Sequence, residues 1–297
     1  MTAIANAVAE QFGLTTRQLG PGFFAEIGGV DLSQHLSAAT ISEIREALNR
    51  HGVLLFRGQR LSEADQVRFS RQFGELMGHV LTQYLHPRHP EILVVSNIQE
   101  NGRNIGLADA GHHWHADLTY LAEPSLGSLL YAREVPETGG DTLFADLAGA
   151  YDALPQEVKD RIESLQAVHL YLDTYERLRK ENSQRPELTE EQWASLPDVL
   201  HPVVAIHPES GRRTLYVSEG FTSHIPGIPR EESDELLSYL FAHSTSDAFL
   251  YRHRWEKGDL LFWDNRRTVH KAAGGYALPQ RRLMHRTTIK GTRPTGP

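Results

Sequence analysis

Apolar runs of strand length, each fenced by glycine, proline or a cluster of polar turn residues, constrain this chain more than any other feature. Val53–Phe56, Glu91–Ser96, Ser125–Val135, Asp259–Trp263 and Arg281–Lys290 read as strands, with others opening at Asp141 and spanning Phe249–Trp255. Turn signals such as Pro136-Glu137-Thr138-Gly139-Gly140 bound them, which favours sheet over buried helix. A hairpin from His201 to Glu219 is expected to turn at Glu209-Ser210-Gly211. Helices are marked by their ends. Thr40-Ile41-Ser42-Glu43 reads as a capping box for a helix stopped by Gly52, and Ser62 with Asp65 starts a second that ends near Gly74. Further helices are expected over about Pro155–Leu165 and Glu231–His243. Many short strands with helices gathered on one side predict a mostly β, α+β chain folded as an antiparallel sandwich or jelly roll.

No repeat, low-complexity tract or linker divides residues 1–297, so a single domain is expected. The most polar stretch, Glu176–Asp198, is read as a helical insertion or lid, and Asn97–Gly111, rich in Gly and Asn, as a loop over a site. The N-terminus lacks a basic segment followed by an apolar run, and no stretch approaches membrane-spanning length, so a cytoplasmic protein is expected. The net charge of −8, without Lys/Arg blocks, argues against nucleic acid or an anionic membrane as a general partner; a homo-oligomer stays open. With no cysteine, any transition metal must be held by His and carboxylates.

His115-Ala116-Asp117 offers such a pair. In extended chain, residues two apart project to the same side and can share one ion. With His270 from a distant strand, the set is two histidines and one carboxylate on one face of the metal, the donor set of non-haem Fe(II) oxygenases. His-X-Asp is weak evidence in a chain with 16 histidines, where buried histidines bonded to backbone are an equal expectation. His113 faces the same way as His115 and competes as a ligand; His112 does not.

The C-terminal run separates the readings. Alternation puts Arg282, Met284 and Arg286 on one face, with the two arginine Cα atoms roughly 13 Å apart. Arginine grips carboxylates in a two-bond fork, and the apolar Met284 between them points to an inner face. The plainer reading is an outer charge ladder in water. Asp264 and Asn265, in Trp263-Asp264-Asn265-Arg266, read first as turn formers, as does Gly139-Gly140-Asp141-Thr142. Trp114, Tyr120, Tyr171, Tyr175 and Phe221 are core or pocket wall.

Taken in order, Arg71-Gln72-Phe73-Gly74-Glu75, Trp114-His115-Ala116-Asp117, Gly139-Gly140-Asp141-Thr142, Leu200-His201-Pro202-Val203-Val204, Glu219-Gly220-Phe221, Trp263-Asp264-Asn265-Arg266 and Gln280 to Arg286 resemble the taurine and 2,4-dichlorophenoxyacetate dioxygenase family. The resemblance spans nearly the whole chain. It implies a double-stranded β-helix, Fe(II) and O2 as cofactors, and 2-oxoglutarate as cosubstrate. It further implies His115, Asp117 and His270 as iron ligands, Arg282 with Thr142 at the distal carboxylate of 2-oxoglutarate, and Arg286, His79 and Phe221 around a small anionic organic substrate. Thr82, Gly111 and Tyr175 depart from the taurine enzyme's pattern, which widens the expected substrates to sulfonates, alkyl sulfates and related carboxylates. A metal hydrolase and a non-catalytic anion-binding barrel are the alternatives.

Overall fold

The computed structural model describes residues 13–20, 22–181, 185 and 187–297; the first twelve residues, read above for a leader, lie outside them, as do four residues of the 176–198 stretch. Among the described residues nine strands form the main sheet, in which Val53–Phe56, Leu260–Asp264, Ser125–Glu134, Leu283–Lys290 and His89–Ser96 lie side by side, all antiparallel. Thr142–Asp146 sits between Leu250–His253 and Thr268–Ala272 in a smaller antiparallel sheet facing it. The result is an open jelly-roll sandwich, mostly β with helices outside.

Alternation explains why the central strands are apolar on both faces. Along Leu260–Asp264, Leu261 and Trp263 enter the cluster between the sheets, while Leu260 and Phe262 join a second cluster. Val53–Phe56 divides in the same way, with Val53 and Leu55 inside and Leu54 and Phe56 outside. The outer cluster is closed by Ile44 and Leu48 of the helix Ala38–His51 and Phe69 of the helix Glu63–Arg71. A strand covered on both faces gains about 1.5–3 kcal/mol per large side chain on each, so neither face can be polar. A third cluster packs the helix Arg230–Ser244 over the outside of the small sheet through Leu236, Leu237 and Leu240.

The helix starts need one correction. Ser37, not Thr40, caps the first helix: its hydroxyl accepts from Thr40 N at 3.1 Å, and Thr40 is the third helical residue, its own hydroxyl 2.9 Å from that of Ser37. Ser62 and Asp65 do form a reciprocal capping box. The hairpin turn at Glu209-Ser210-Gly211 is present, between Val204–Ile206 and Arg213–Leu215. Within and before the polar stretch, the helices Leu172–Glu181 and Glu190–Ala194 flank Arg185. No helix among the described residues is long and apolar enough to cross a membrane.

Candidate active site

His115-Ala116-Asp117 is not a strand, contrary to the spacing argument. His115 makes one isolated bridge, exchanging backbone hydrogen bonds with His270 at 3.1 and 2.8 Å, and the chain then turns at Leu118 with φ +62°. A non-glycine residue in that region costs roughly 1–3 kcal/mol, which the surroundings must hold in place. The bridge sets the two imidazoles side by side, ring centroids 4.2 Å apart. His115 Nε2 lies 3.7 Å from Asp117 Oδ1 and His270 Nε2 lies 3.9 Å from Asp117 Oδ2. One donor atom from each residue falls within 4.8 Å of the others, and among the described residues this is the group able to hold a metal ion. His113 is not part of it; its carbonyl instead accepts from His115 Nδ1 at 2.9 Å. That bond fixes the ring and turns Nε2 toward the carboxylate.

Electrostatics favours ligand-ready protonation states. Burial pushes His115 below its ordinary value, and burial with the neighbouring His115 pushes His270 down well below its own. Burial opposes ionisation of Asp117, but the Arg286 charge and both imidazoles hold its carboxyl well below the usual range. Neutral nitrogen donors and an ionised oxygen donor form a hard, sulfur-free set that fits Fe(II).

Asp117 is also held from behind, in part by Asn265, which sequence reasoning read as a turn former. Asn265 Oδ1 accepts from Asp117 N at 3.1 Å and from Trp263 Nε1 at 2.9 Å, and its amide donates to the hydroxyls of Ser125 and Ser128. Ser128 donates to Asp117 Oδ2 at 2.7 Å, and Arg286 Nη1 to Asp117 Oδ1 at 2.6 Å. Asn265 is therefore the centre of a buried network. Apart from Trp263, its partners lie far away in sequence, so no local pattern carried the signal.

Two small cavities meet at the triad. One, about 40 Å³, is lined by Thr142, Trp263, His115, His270, Arg282 and Arg286. The inner-face reading of the arginines therefore holds. Among the described residues no carboxylate pairs with the buried Arg282, whose backbone is pinned instead by Asn97 Oδ1 at 2.8 Å and Ser96 Oγ at 2.8 Å. Thr142 Oγ1 accepts from Trp255 Nε1 at 3.0 Å, which leaves its own O–H to donate. An uncompensated buried guanidinium beside a free hydroxyl donor fits a dicarboxylate.

The other cavity, about 50 Å³, is lined by His79, His113, Tyr120, Phe221, Arg286 and Arg185 among others. Phe221 stands edge-on to His115 and Tyr120, with centroids 5.6 and 5.0 Å away. Gly111, on the rim of both cavities, adopts φ +74°, and a Cβ there would meet His115 Cε1 at 3.1 Å. The loop from Asn97, which forms a small hairpin at Gln99–Glu100 and Arg103–Asn104, thus closes over the triad through a residue that must be small. Arg185 was missed altogether; the polar stretch holding it has no periodicity to single it out.

Comparison with known proteins agrees with this geometry. The family model for taurine catabolism dioxygenases, the TauD, TfdA family, matches residues 15–288. The alpha-ketoglutarate-dependent 2,4-dichlorophenoxyacetate dioxygenase of Cupriavidus pinatubonensis is 35% identical over 280 residues, 91% of this chain and 95% of that one. The alpha-ketoglutarate-dependent sulfate ester dioxygenase of Pseudomonas putida is 34% identical over 279 residues, covering 92% and 88%. A crystal structure of a taurine dioxygenase from Burkholderia xenovorans superposes with TM-score 0.80 at 34% identity, over 96% of this chain and 93% of that one. Hydrolase and binding-barrel readings fall away with these matches. A chain with this sandwich, this cluster and these relatives belongs to the TauD, TfdA family, and is a 2-oxoglutarate-dependent dioxygenase working with Fe(II) and O2.

Proposed function

We propose that this dioxygenase oxidises a C–H bond next to a heteroatom in a small anionic organic substrate: a sulfonate such as taurine, an alkyl sulfate, or a related carboxylate. The observation that carries the reading is the pair of buried guanidiniums, from Arg282 just before the strand Leu283–Lys290 and Arg286 within it, which line one cavity beside the three-residue cluster. In this reading His115, Asp117 and His270 hold the iron, and Arg282 with Thr142 binds the far carboxylate of 2-oxoglutarate. When bound, iron, 2-oxoglutarate and dioxygen supply the oxidising power, with succinate and CO2 as products. The chain's own task is to bind and aim the substrate.

Arg286 has donors to spare for an anionic head. One Nη1 hydrogen bond is committed to Asp117, while its buried Nε has no partner among the described residues. His79 supplies a neutral donor: burial and the Arg286 charge push its pKa down to about 3, and Nδ1 accepts from Leu81 N at 3.1 Å, so the proton sits on Nε2. Phe221, Tyr120 and Leu118 supply apolar wall and keep water from the reacting carbon. The test is succinate release by iron-loaded protein given 2-oxoglutarate, oxygen and a panel of sulfonates, sulfate esters, phenoxy acids and N-alkyl amino acids. At least one class should raise succinate release, and Arg286→Ala should weaken substrate binding while iron binding survives. Inertness across the panel with iron verified would overturn the substrate class; loss of iron in the variant would overturn the role of Arg286.

A further inference from the structure

The cavity beside the triad contains another guanidinium, that of Arg185, which neither iron nor 2-oxoglutarate binding requires. Arg185 is only 6% exposed. Its Nε and Nη2 fork onto Asp109 at 2.9 and 3.0 Å, and its guanidinium carbon lies 4.9 Å over the ring of Tyr175. Its Nη1 is buried and lacks a hydrogen-bond partner within 3.5 Å among the described residues, although the guanidinium also interacts with Tyr171. The same cavity is walled by Tyr120, Tyr171 and Phe221, whose ring centroids are 4.4 to 6.0 Å apart. The side chain is thus clamped in direction by Asp109 and Tyr175, with Nη1 left over on a residue that lines an aromatic-walled space. A buried charged donor is costly to leave unmade, and strongest when met by an oxygen.

We propose that Arg185 determines specificity: its Nη1 donates to a neutral oxygen acceptor on the substrate, remote from the anionic head held at Arg286. The proposal rests on the reading of this cavity as the substrate site. Asp109 decides the chemistry of the acceptor. Its carboxylate already offsets the Arg185 charge, so a second full anion would be left uncompensated, whereas a carbonyl or ether oxygen takes the free hydrogen bond at no cost in charge. The aromatic wall favours a ring between head and acceptor. The favoured substrate class is therefore an aryl-bearing monoanion with an uncharged oxygen on its ring.

Binding can be measured by calorimetry on protein loaded with Fe(II) and 2-oxoglutarate under anaerobic conditions, so that turnover is not the readout. The probes are phenoxyacetates carrying an acetyl group at the ortho, meta or para position, each paired with its isopropyl isostere. At least one acetyl isomer should bind wild type roughly tenfold tighter than its isostere, the worth of one charge-assisted hydrogen bond. The double variant Arg185→Met with Asp109→Asn, which avoids stranding the carboxylate, should lose that preference. Arg185→Lys, which keeps the charge but not the fork, should lose it too and serves if the double variant does not fold. No acetyl preference in wild type, or a preference kept in a folded variant, overturns the proposal. If wild type binds both members of every pair equally, only the role of Arg185 falls; if it binds neither, the substrate class falls with it.

Discussion

Two of the buried clusters in this molecule that join an aspartate to histidine and arginine, at Asp117 and at Asp264, use the same residue types, and only the first is built to react. Asp264 is saturated. It accepts from Arg266 Nε at 2.8 Å, Arg266 Nη2 at 2.5 Å, Arg266 N at 2.9 Å and His207 Nε2 at 2.9 Å, while His207 Nδ1 accepts from Ser210 N at 3.0 Å. Asp117 accepts from Arg286 and Ser128, but its two histidines stand 3.7 and 3.9 Å away, beyond hydrogen-bonding range, and border cavities. Both carboxyls sit well below the ordinary range, Asp264 because Arg266 and His207 outweigh its burial and Asp117 because Arg286 and its imidazoles do. Burial and a shifted pKa therefore do not mark the reactive cluster. What marks it is donor capacity left unspent toward a space.

Variants at the two clusters should fail in opposite ways. Removing a triad residue, as in His115→Ala, should cut substrate-dependent succinate release by well over the roughly 100-fold typical of outer positions around a metal. Asp264→Ala should instead destabilise the fold by about 1–3 kcal/mol, because it leaves the buried His207 Nε2 without its acceptor and Arg266 with Glu209 alone, while succinate release per folded molecule persists. Urea unfolding beside turnover separates the two; equal loss of stability in both variants would erase the contrast. Between the arginines of the reactive cluster, Arg282→Ala should raise the KM for 2-oxoglutarate by roughly 10- to 100-fold, the range for lost charge-assisted hydrogen bonds, and leave substrate affinity much less changed. A larger effect on substrate than on 2-oxoglutarate would reverse the assignment. Asn265→Ala should cost about tenfold in turnover through misplacement of Asp117, with restoration by Gln not expected because the longer amide cannot reach both Asp117 N and the two serines.

A third kind of buried histidine, far from both carboxylates, sharpens the contrast most gently. Burial pushes His169 down to about 3 and His285 down to about 4, against 6.5 in the unfolded chain. Below pH 6.5 the unfolded chain takes up protons that the folded one refuses, so each residue removes stability as pH falls, at up to about 1.4 kcal/mol per unit, and neither matters above pH 6.5. Melting temperature measured from pH 7 to 5 should fall, and His169→Gln should flatten the slope without altering neutral-pH turnover.

Much of this was legible in the chain because two signals are local. The apolar runs reported the central strands within a residue or two, since each is buried on both faces, and alternation placed Arg282, Met284 and Arg286 on one inner face. His115, Asp117 and His270 came from the same reasoning, but for a partly mistaken cause: their shared side depends on one bridge and a left-handed Leu118, not on a strand. What could not be read depends on distance in sequence. Asn265 holds Asp117 across 148 positions and Arg185 grips Asp109 across 76, and no period or spacing reports such pairs. The cap at Ser37 was hidden by a second hydroxyl three residues on.

Anaerobic titration of the metal-free protein with Fe(II) bears most directly on the distinction between the two clusters. One equivalent should bind per chain, His270→Ala should abolish it, and His207→Ala, if folded, should keep it. Iron retained without His270, or lost without His207, would contradict the account.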